Sequence, residues 1–381
     1  MHRHRSNHRN TWLLSAVVIV AIAVAAATIT LVGARAHSTP AAASPVPTTK
    51  TGKPAVEMVT WASPSPGASN VNPGTLITLR LAEPLAADSP MPRLSPAVAG
   101  SWTLSSPTTL VFQPTTTFVP GASESVIVPA GAGGLEGVDG ERTTVTLTVG
   151  FHIAVGSTLR LQQLLAELGY LPLSFTPSVS DPMTDLNEAM PQVGTFAWRW
   201  QDLPSSLTSL WSPDELSVIT QGAVMEFENA EGLTTDGIAG PVVWGYLLKA
   251  VRDHDVNRQP YNYVYVQKVP EPENVTVYSD GKAVYNTLAN TGIAAAPTPD
   301  GTWPVYVRYT VTTMTGTNPN GSHYSDPGIP WVSYFHGGDA LHGFIRASYG
   351  FPQSLGCVEM PFANAEVVFP YTPIGTLVTV Q

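Results

Sequence analysis

The chain has one cysteine in 381 residues, Cys357, behind an N-terminus built like an export signal, so this thiol can find no disulfide partner within its own chain. Whatever folds here does so without an internal cross-link. A leftover cysteine in an exported protein is either a buried small hydrophobe or a reactive group. The length exceeds what one hydrophobic core fills, so more than one domain is expected. Only 12% of residues are charged, against 35 prolines and 32 glycines, a balance that suits turn-rich β domains and linkers. The formal net charge of −10 argues against nucleic acid as a partner.

Residues 1–36 carry Arg3, Arg5 and Arg9, then an uncharged apolar run from Trp12 to Gly33, then Ala34-Arg35-Ala36. The run is long enough to span a bilayer, with the positive flank held in the cytoplasm. The small-x-small triplet fits a cleavage site, so a removed signal peptide competes with a retained membrane anchor, and the length of the run favours the anchor. Either way the remainder lies outside the cytoplasm, in the cell envelope. Residues 37–54 are rich in Ala, Ser, Pro and Thr and read as an extended tether.

Three segments of different texture follow. Residues 55–150 contain period-two runs at Thr75–Leu81, Thr109–Phe112 and Thr143–Val149 between Pro, Gly and Asn clusters, the pattern of a small antiparallel sandwich. Residues 151–256 turn helical. Leu161, Leu164, Leu165 and Leu168 recur at helical spacing before Gly169, a second helix covers Ala223–Glu228, and a third runs from Pro241, a first-turn proline, to Val251. Between them lie Trp198, Trp200 and Trp211, residue types that stack on sugar rings but more commonly anchor loops. Residues 261–381 return to β-rich runs, among them Val305–Val311, with a hairpin turn at Ser279-Asp280-Gly281-Lys282 and a helix over Phe362–Phe369. The fold class is therefore multidomain and mainly β.

Chemistry concentrates around Cys357. Gly356 lets the backbone approach a substrate closely and adopt positive φ, Ser354 adds a hydroxyl, and His342, fifteen positions upstream of the cysteine, is a candidate base. An unperturbed thiol has a pKa of about 8.5, so near neutrality it needs such a base. A core cysteine and a structural histidine are the competing reading. His323, Asp326, His336 and His342 raise the thought of zinc, but no His-x-x-x-His or comparable ligand pair is present, and no metal is expected.

His342-Gly343, a loop, then Ser354-x-Gly356-Cys357-Val358-x-Met360 resembles the active-site signature of the YkuD-type L,D-transpeptidases. The resemblance covers roughly residues 261–381. It extends to Thr298-Pro299-Asp300-Gly301-Thr302-Trp303, like the family's Thr-Pro-x-Gly-x-Phe strand, and to Gly375-Thr376-Leu377-Val378 near the C-terminus. It implies a β-rich catalytic domain with His342 and Cys357 on adjacent parts of one sheet, facing a groove. It also implies acyl transfer without a cofactor. Cys357 attacks a tetrapeptide stem of peptidoglycan, releases the terminal D-residue, and passes the acyl group to a second stem's amine.

On this resemblance the Gly343 carbonyl orients the histidine; the N–H groups of Gly356 and Cys357 are the candidate oxyanion hole. Ser354 is expected to shape the turn and to hydrogen-bond near the histidine, while Tyr334, His336 and Glu359 are expected to face the substrate. Two positions depart from the family: Glu359 stands where Arg or Asn is usual, and Leu355 where many members have His or Lys. A carboxylate there is expected to raise the thiol pKa and disfavour an anionic donor. An L,D-carboxypeptidase, with water as acceptor, and an inert wall-binding protein are the alternatives. Upstream, Pro66-Gly67-Ala68-Ser69-Asn70-Val71 and Phe112-Gln113-Pro114 within residues 55–150 resemble bacterial immunoglobulin-like domains, and Leu161-Gln162 to Leu168-Gly169-Tyr170 with Phe227-Glu228-x-x-x-Gly232-Leu233-Thr234-x-Asp236-Gly237-x-x-Gly240 within residues 151–256 is similar to a helical peptidoglycan-binding domain, which implies glycan as a further partner.

Overall fold

The computed structural model describes residues 57–178 and 184–381, so the expected anchor or signal at 1–36 and the tether at 37–54 lie outside the described residues. Among the described residues no helix is long and apolar enough to cross a membrane. Pro54–Gln381 is one compact unit, mainly β, with several sheets and separate apolar cores.

The first two sheets use strands β1 (Val59–Ser63), β2 (Ala68–Val71), β3 (Ile77–Leu81), β4 (Arg93–Ser95), β5 (Gly100–Ser106), β6 (Thr109–Pro114), β7 (Ser123–Val128) and β8 (Leu147–Ile153). One sheet has the order β1-β3-β6-β5 and the other β2-β8-β7-β4. Ile77, Leu79, Leu110 and Phe112 of the first meet Val126, Val128, Val149 and Phe151 of the second in one core, as strand alternation requires. The sandwich expected from the period-two runs is present, with its last strand shifted. Residues 143–146 stay outside the sheet, and the strand begins at Leu147 and continues past residue 150 to Ile153, whose side chain belongs to the core.

Helix α1 (Thr158–Glu167) begins at Ser157, whose hydroxyl accepts the Arg160 N–H, and gives way at Gly169, which has φ +82°. The Trp-containing stretch forms a hairpin of β9 (Leu173–Pro177) and β10 (Gly194–Trp198), then the short helix α2 (Ser205–Thr208). Helices α3 (Val218–Ala230) and α4 (Pro241–Asp253) follow. Trp198 and Trp211 pack partly buried against the helical core, and Trp200 lies beside Tyr261. This core also takes in Tyr263 and Leu377 of the next sheet, and the Tyr263 hydroxyl donates to Ser206 Oγ at 2.8 Å. The helices thus cover one face of that sheet rather than hanging as a free bead.

The C-terminal part builds two sheets. The first joins β11 (Asn262–Gln267), β12 (Asn274–Ser279), β13 (Lys282–Leu288), β14 (Gly301–Pro304) and β19 in the order β13-β12-β11-β19-β14, where β19 is Leu377–Val380. The second has the order β15-β16-β17-β18, with β15 (Val307–Thr317), β16 (His323–His336), β17 (Asp339–Gly343) and β18 (Val358–Met360). The sequence run from Val305 to Val311 looks continuous but divides between sheets. The Val305 N–H donates to Thr376 O beside the first sheet, and the Tyr306 N–H to Tyr334 O of the second. Val264, Val266, Val378 and Val380 face Phe335, Leu341, Val358 and Met360 across the shared core. Helix α5 (Phe362–Val368) covers β17 so closely that a Cβ on Gly343 would press on Phe362 and Ala365.

Candidate active site

The parallel pairing of β17 with β18 is what brings residues 342 and 357 together. In that register Leu341 stands opposite Val358 and His342 opposite Glu359, and Cys357 immediately precedes β18. His342 is 2% exposed, and its Nδ1 lies 2.9 Å from the Gly343 carbonyl. A carbonyl only accepts, so Nδ1 carries the hydrogen and Nε2 keeps its lone pair. Both side chains line one cavity of about 410 Å³. The long β15–β16 hairpin forms its far wall through Met314, Tyr324, Asp326 and Ile329.

The turn carrying the thiol is pinned from several sides. Ser354 Oγ donates to the Cys357 carbonyl and accepts the Gly356 N–H at 3.2 Å. Thr298 donates to the Gly356 carbonyl at 2.7 Å and accepts the Gly292 N–H at 2.8 Å. Gly356 has φ +116°, and a Cβ there would collide with the Asp339 carboxylate. Glycine is therefore required at this position for both conformation and space.

Burial pushes the Cys357 thiol up, to about 12, with the Asp339 and Glu359 carboxylates adding to the shift and an Ala340 backbone hydrogen bond opposing it. Burial also lowers His342 below its ordinary 6.5, against the Gly343 hydrogen bond and the Glu359 charge. Both shifts favour uncharged partners, so the resting pair is thiol and imidazole rather than thiolate and imidazolium. The thiol has a carbonyl contact, Gly338 O at 3.8 Å from Sγ.

Residues 262–380 match the family model of the YkuD L,D-transpeptidase catalytic domain. This segment is a YkuD domain. Solved structures similar to the chain include an L,D-transpeptidase from Mycobacterium smegmatis, 13% identical over 85% of this chain and 98% of that one, with a TM-score of 0.29. Another is from Mycobacterium tuberculosis H37Rv, 12% identical over 85% and 98%, with a TM-score of 0.28. A third is the catalytic domain of an E. faecium L,D-transpeptidase, 25% identical over 33% and 100%, with a TM-score of 0.29. No curated protein matches the chain.

Several side chains of the YkuD domain depart from the expectations drawn from its motif. The Gly356 N–H, expected to face an oxyanion, is committed to Ser354 Oγ. Ser354 bonds to its own turn rather than near the histidine. His336 is not on the cavity wall; it sits 3.1 Å from Asp339 Oδ2 and against the Trp303 ring, at a centroid distance of 4.5 Å. Tyr334 is also off the wall, packed beside Cys357 against the small cluster of Met314, Ile329, Val332 and Ala340. Leu355 does line the cavity.

Glu359 reaches the cavity but is 4% exposed, and both its oxygens accept from Arg346, at 2.7 Å from Nε and 2.8 Å from Nη2. The carboxylate expected to repel an anionic donor is thus neutralised in place. Sequence reasoning missed Arg346, and with it Tyr324 and Asp339, and weighed Asp326 only as a zinc ligand. The signal for Arg346 was the unexplained Glu359, since a buried carboxylate needs a cation. Among the described residues no three His, Cys, Asp or Glu side chains converge as a metal site would require, and His323 instead meets Thr317 Oγ1 at 3.2 Å.

Proposed function

We propose that the protein cross-links peptidoglycan as an L,D-transpeptidase, through an acyl-enzyme on Cys357. The observation that carries this is the pairing of β17 with β18, which sets His342, with its Nε2 lone pair free, and Cys357 on one cavity of a YkuD domain. Because the resting pair is neutral, the Cys357 proton passes to His342 Nε2 as Sγ attacks the carbonyl of a tetrapeptide stem before its terminal D-residue. The C–N bond breaks, and the departing amine takes the proton back from His342. An amine of a second stem then attacks the thioester. His342 accepts its proton, the C–S bond breaks, and the thiol is restored.

With the Gly356 N–H engaged, the Cys357 N–H is the remaining candidate donor to the oxyanion; such a donor is worth on the order of 3 kcal/mol when well aimed. Residues 1–36 would hold the enzyme at the membrane or export it, and residues 37–54 would let it reach the wall. The immunoglobulin-like and peptidoglycan-binding-like segments would act as spacer and glycan-facing module.

The test is intact mass spectrometry of residues 54–381, wild type and Cys357→Ala, with disaccharide-tetrapeptide muropeptides. Loss of the terminal D-residue with dimer formation, both absent in Cys357→Ala, is the expected result. Tripeptide without dimer would make the protein an L,D-carboxypeptidase. No change in the muropeptides would leave an inert wall-binding protein.

A further inference from the structure

The cavity beside Cys357 has three charged groups on its walls, Asp326, Arg346 and Glu359, and Arg346 is the only cation among them. Its guanidinium is held by design of the surrounding chain rather than by chance. Glu359, opposite His342 in the sheet register, takes Nε and Nη2 as a fork. Nη2 also reaches the Gln353 carbonyl at 3.3 Å, and the Phe344 ring lies under the group at 4.7 Å. Glu359 is buried, whereas the Arg346 side chain is 30% exposed. Among the described residues Nη1 has no acceptor. A guanidinium whose plane is fixed on one side by a carboxylate still offers its other N–H groups in a set direction, and carboxylates are the ligands that match them best.

We propose that Arg346 forms a carboxylate-binding subsite for the stem peptide, with Glu359 as the positioning residue that holds the guanidinium on the cavity wall. This deepens the transpeptidase reading and rests on it. On that reading two substrate carboxylates come near Cys357: the terminal carboxylate of the departing D-residue in the donor, and the one beside the attacking amine in the acceptor. Either would find Asp326 and Glu359 repulsive and Arg346 attractive, so Arg346 is the wall group that can accept an anion. The salt bridge leaves the Arg346–Glu359 pair without net charge, so recognition comes from directed hydrogen bonds rather than from a general positive field.

The experiment measures two steps separately on residues 54–381. Thioester formation on Cys357 is followed with a tetrapeptide donor and with the same donor ending in a carboxamide. Thioester resolution is followed with a D-amino acid and with its amide as acceptor. Wild-type protein should prefer the acid over the amide by about tenfold or more in one of the two steps, as a charge-assisted hydrogen bond implies, and the step affected identifies which carboxylate is bound.

Arg346→Gln should bring that ratio to near one, chiefly through a higher KM for the acid, and Arg346→Lys should keep part of it. Because Arg346→Gln strands a buried Glu359, the double variant Arg346→Gln/Glu359→Gln is measured beside it and should lose the preference equally. Equal rates for acid and amide in both wild-type steps, or a preference that survives the double variant, would overturn the subsite while leaving the transpeptidase intact. A wild-type protein that forms no thioester with either donor would instead remove the transpeptidase reading, and the subsite with it.

Discussion

The turn that carries Cys357, the proposed nucleophile, can be tested with one methyl group. In Gly356→Ala two costs combine. The residue would hold φ +116°, a backbone region that side chains rarely adopt, at about 1–3 kcal/mol. The added Cβ would also lie far inside the separation of about 3.5 Å that a carbon and its neighbour need, because Asp339 Oδ1 already occupies the space. Asp339 cannot swing away freely, since its other oxygen holds His336 at 3.1 Å. The turn must therefore give by about 1 Å, and a displacement of that size at a reacting group costs about 10²-fold in rate. The assay is thioester formation on Cys357 under single-turnover conditions, with thermal unfolding in parallel. The expected result is a rate at least 10²-fold lower with a measurably lower Tm. Asp339→Ala in the same background removes the clash but not the φ strain, so the double variant should recover only part of the loss. A Gly356→Ala protein within about threefold of wild type would refute the claim that this backbone and this contact aim the thiol.

The neutral resting pair predicts a pH profile for thioester formation whose acid limb falls below the ordinary histidine value of 6.5, because burial keeps His342 unprotonated, and alkylation of Cys357 by iodoacetamide that still rises with pH above 9, because the thiol is pushed to about 12; a plateau near pH 8 would refute it. In stability the two signs are opposite. The His342 contribution is complete above 6.5 and lost as pH falls through its depressed folded value, whereas that of Cys357 is complete below 9 and lost as pH rises toward about 12, so urea unfolding should show both limbs flatten in His342→Gln and Cys357→Ala respectively. Glu124 is buried in the sandwich with Oε2 unpartnered and its carboxyl raised to about 7, so Glu124→Gln should stabilise by up to about 3 kcal/mol at pH 8 and by nothing at pH 4, read by denaturant titration. Glu359→Arg, which would restore the family's residue, sets a second buried cation against Arg346 and should cost about 3–5 kcal/mol, visible as a fall in Tm and in activity together; a rise in activity would mean that the carboxylate suppresses the site.

Much of this architecture was legible because its signals are local. Ile77, Leu79 and Leu81 alternate with Thr78 and Arg80, and that period of two is the strand itself. Leu161, Leu164, Leu165 and Leu168 mark the buried stripe of α1 in the same way. His342 and Cys357 were singled out because the motif that resembles the YkuD signature contains them, and the pairing of β17 with β18 sets both on one cavity. What failed was decided by partners that the local pattern does not reveal, most of them distant in sequence. The Val305–Val311 run has the composition of one strand, yet Thr376 and Tyr334 claim its first two residues for different sheets. His336 carries the same residue type as His342 six positions away, but Asp339 and Trp303 hold it elsewhere. The Trp198 and Trp211 side chains were explained by a hairpin that their own sequence did not announce.

The same reasoning changes what Glu359 means. Read alone, a carboxylate two residues after the nucleophile is an inverted charge, and an inert enzyme is the natural deduction. Paired with Arg346 it becomes half of a neutral unit, and where the family motif has Arg or Asn this chain has a carboxylate bonded to a cation from thirteen residues earlier. The Glu359 charge still acts on both His342 and Cys357, raising each, while Arg346 lowers His342. These effects oppose one another at the histidine and are smaller than burial, the first cause of both shifts. The departure from the family motif therefore leaves the neutral Cys–His pair in place, and what it alters is the point on the cavity wall from which a cation can be offered to a substrate. Acid and amide substrates therefore report whether donors and acceptors use Arg346, whereas thioester formation on Cys357, rather than the presence of the motif, separates a working variant from an inert one.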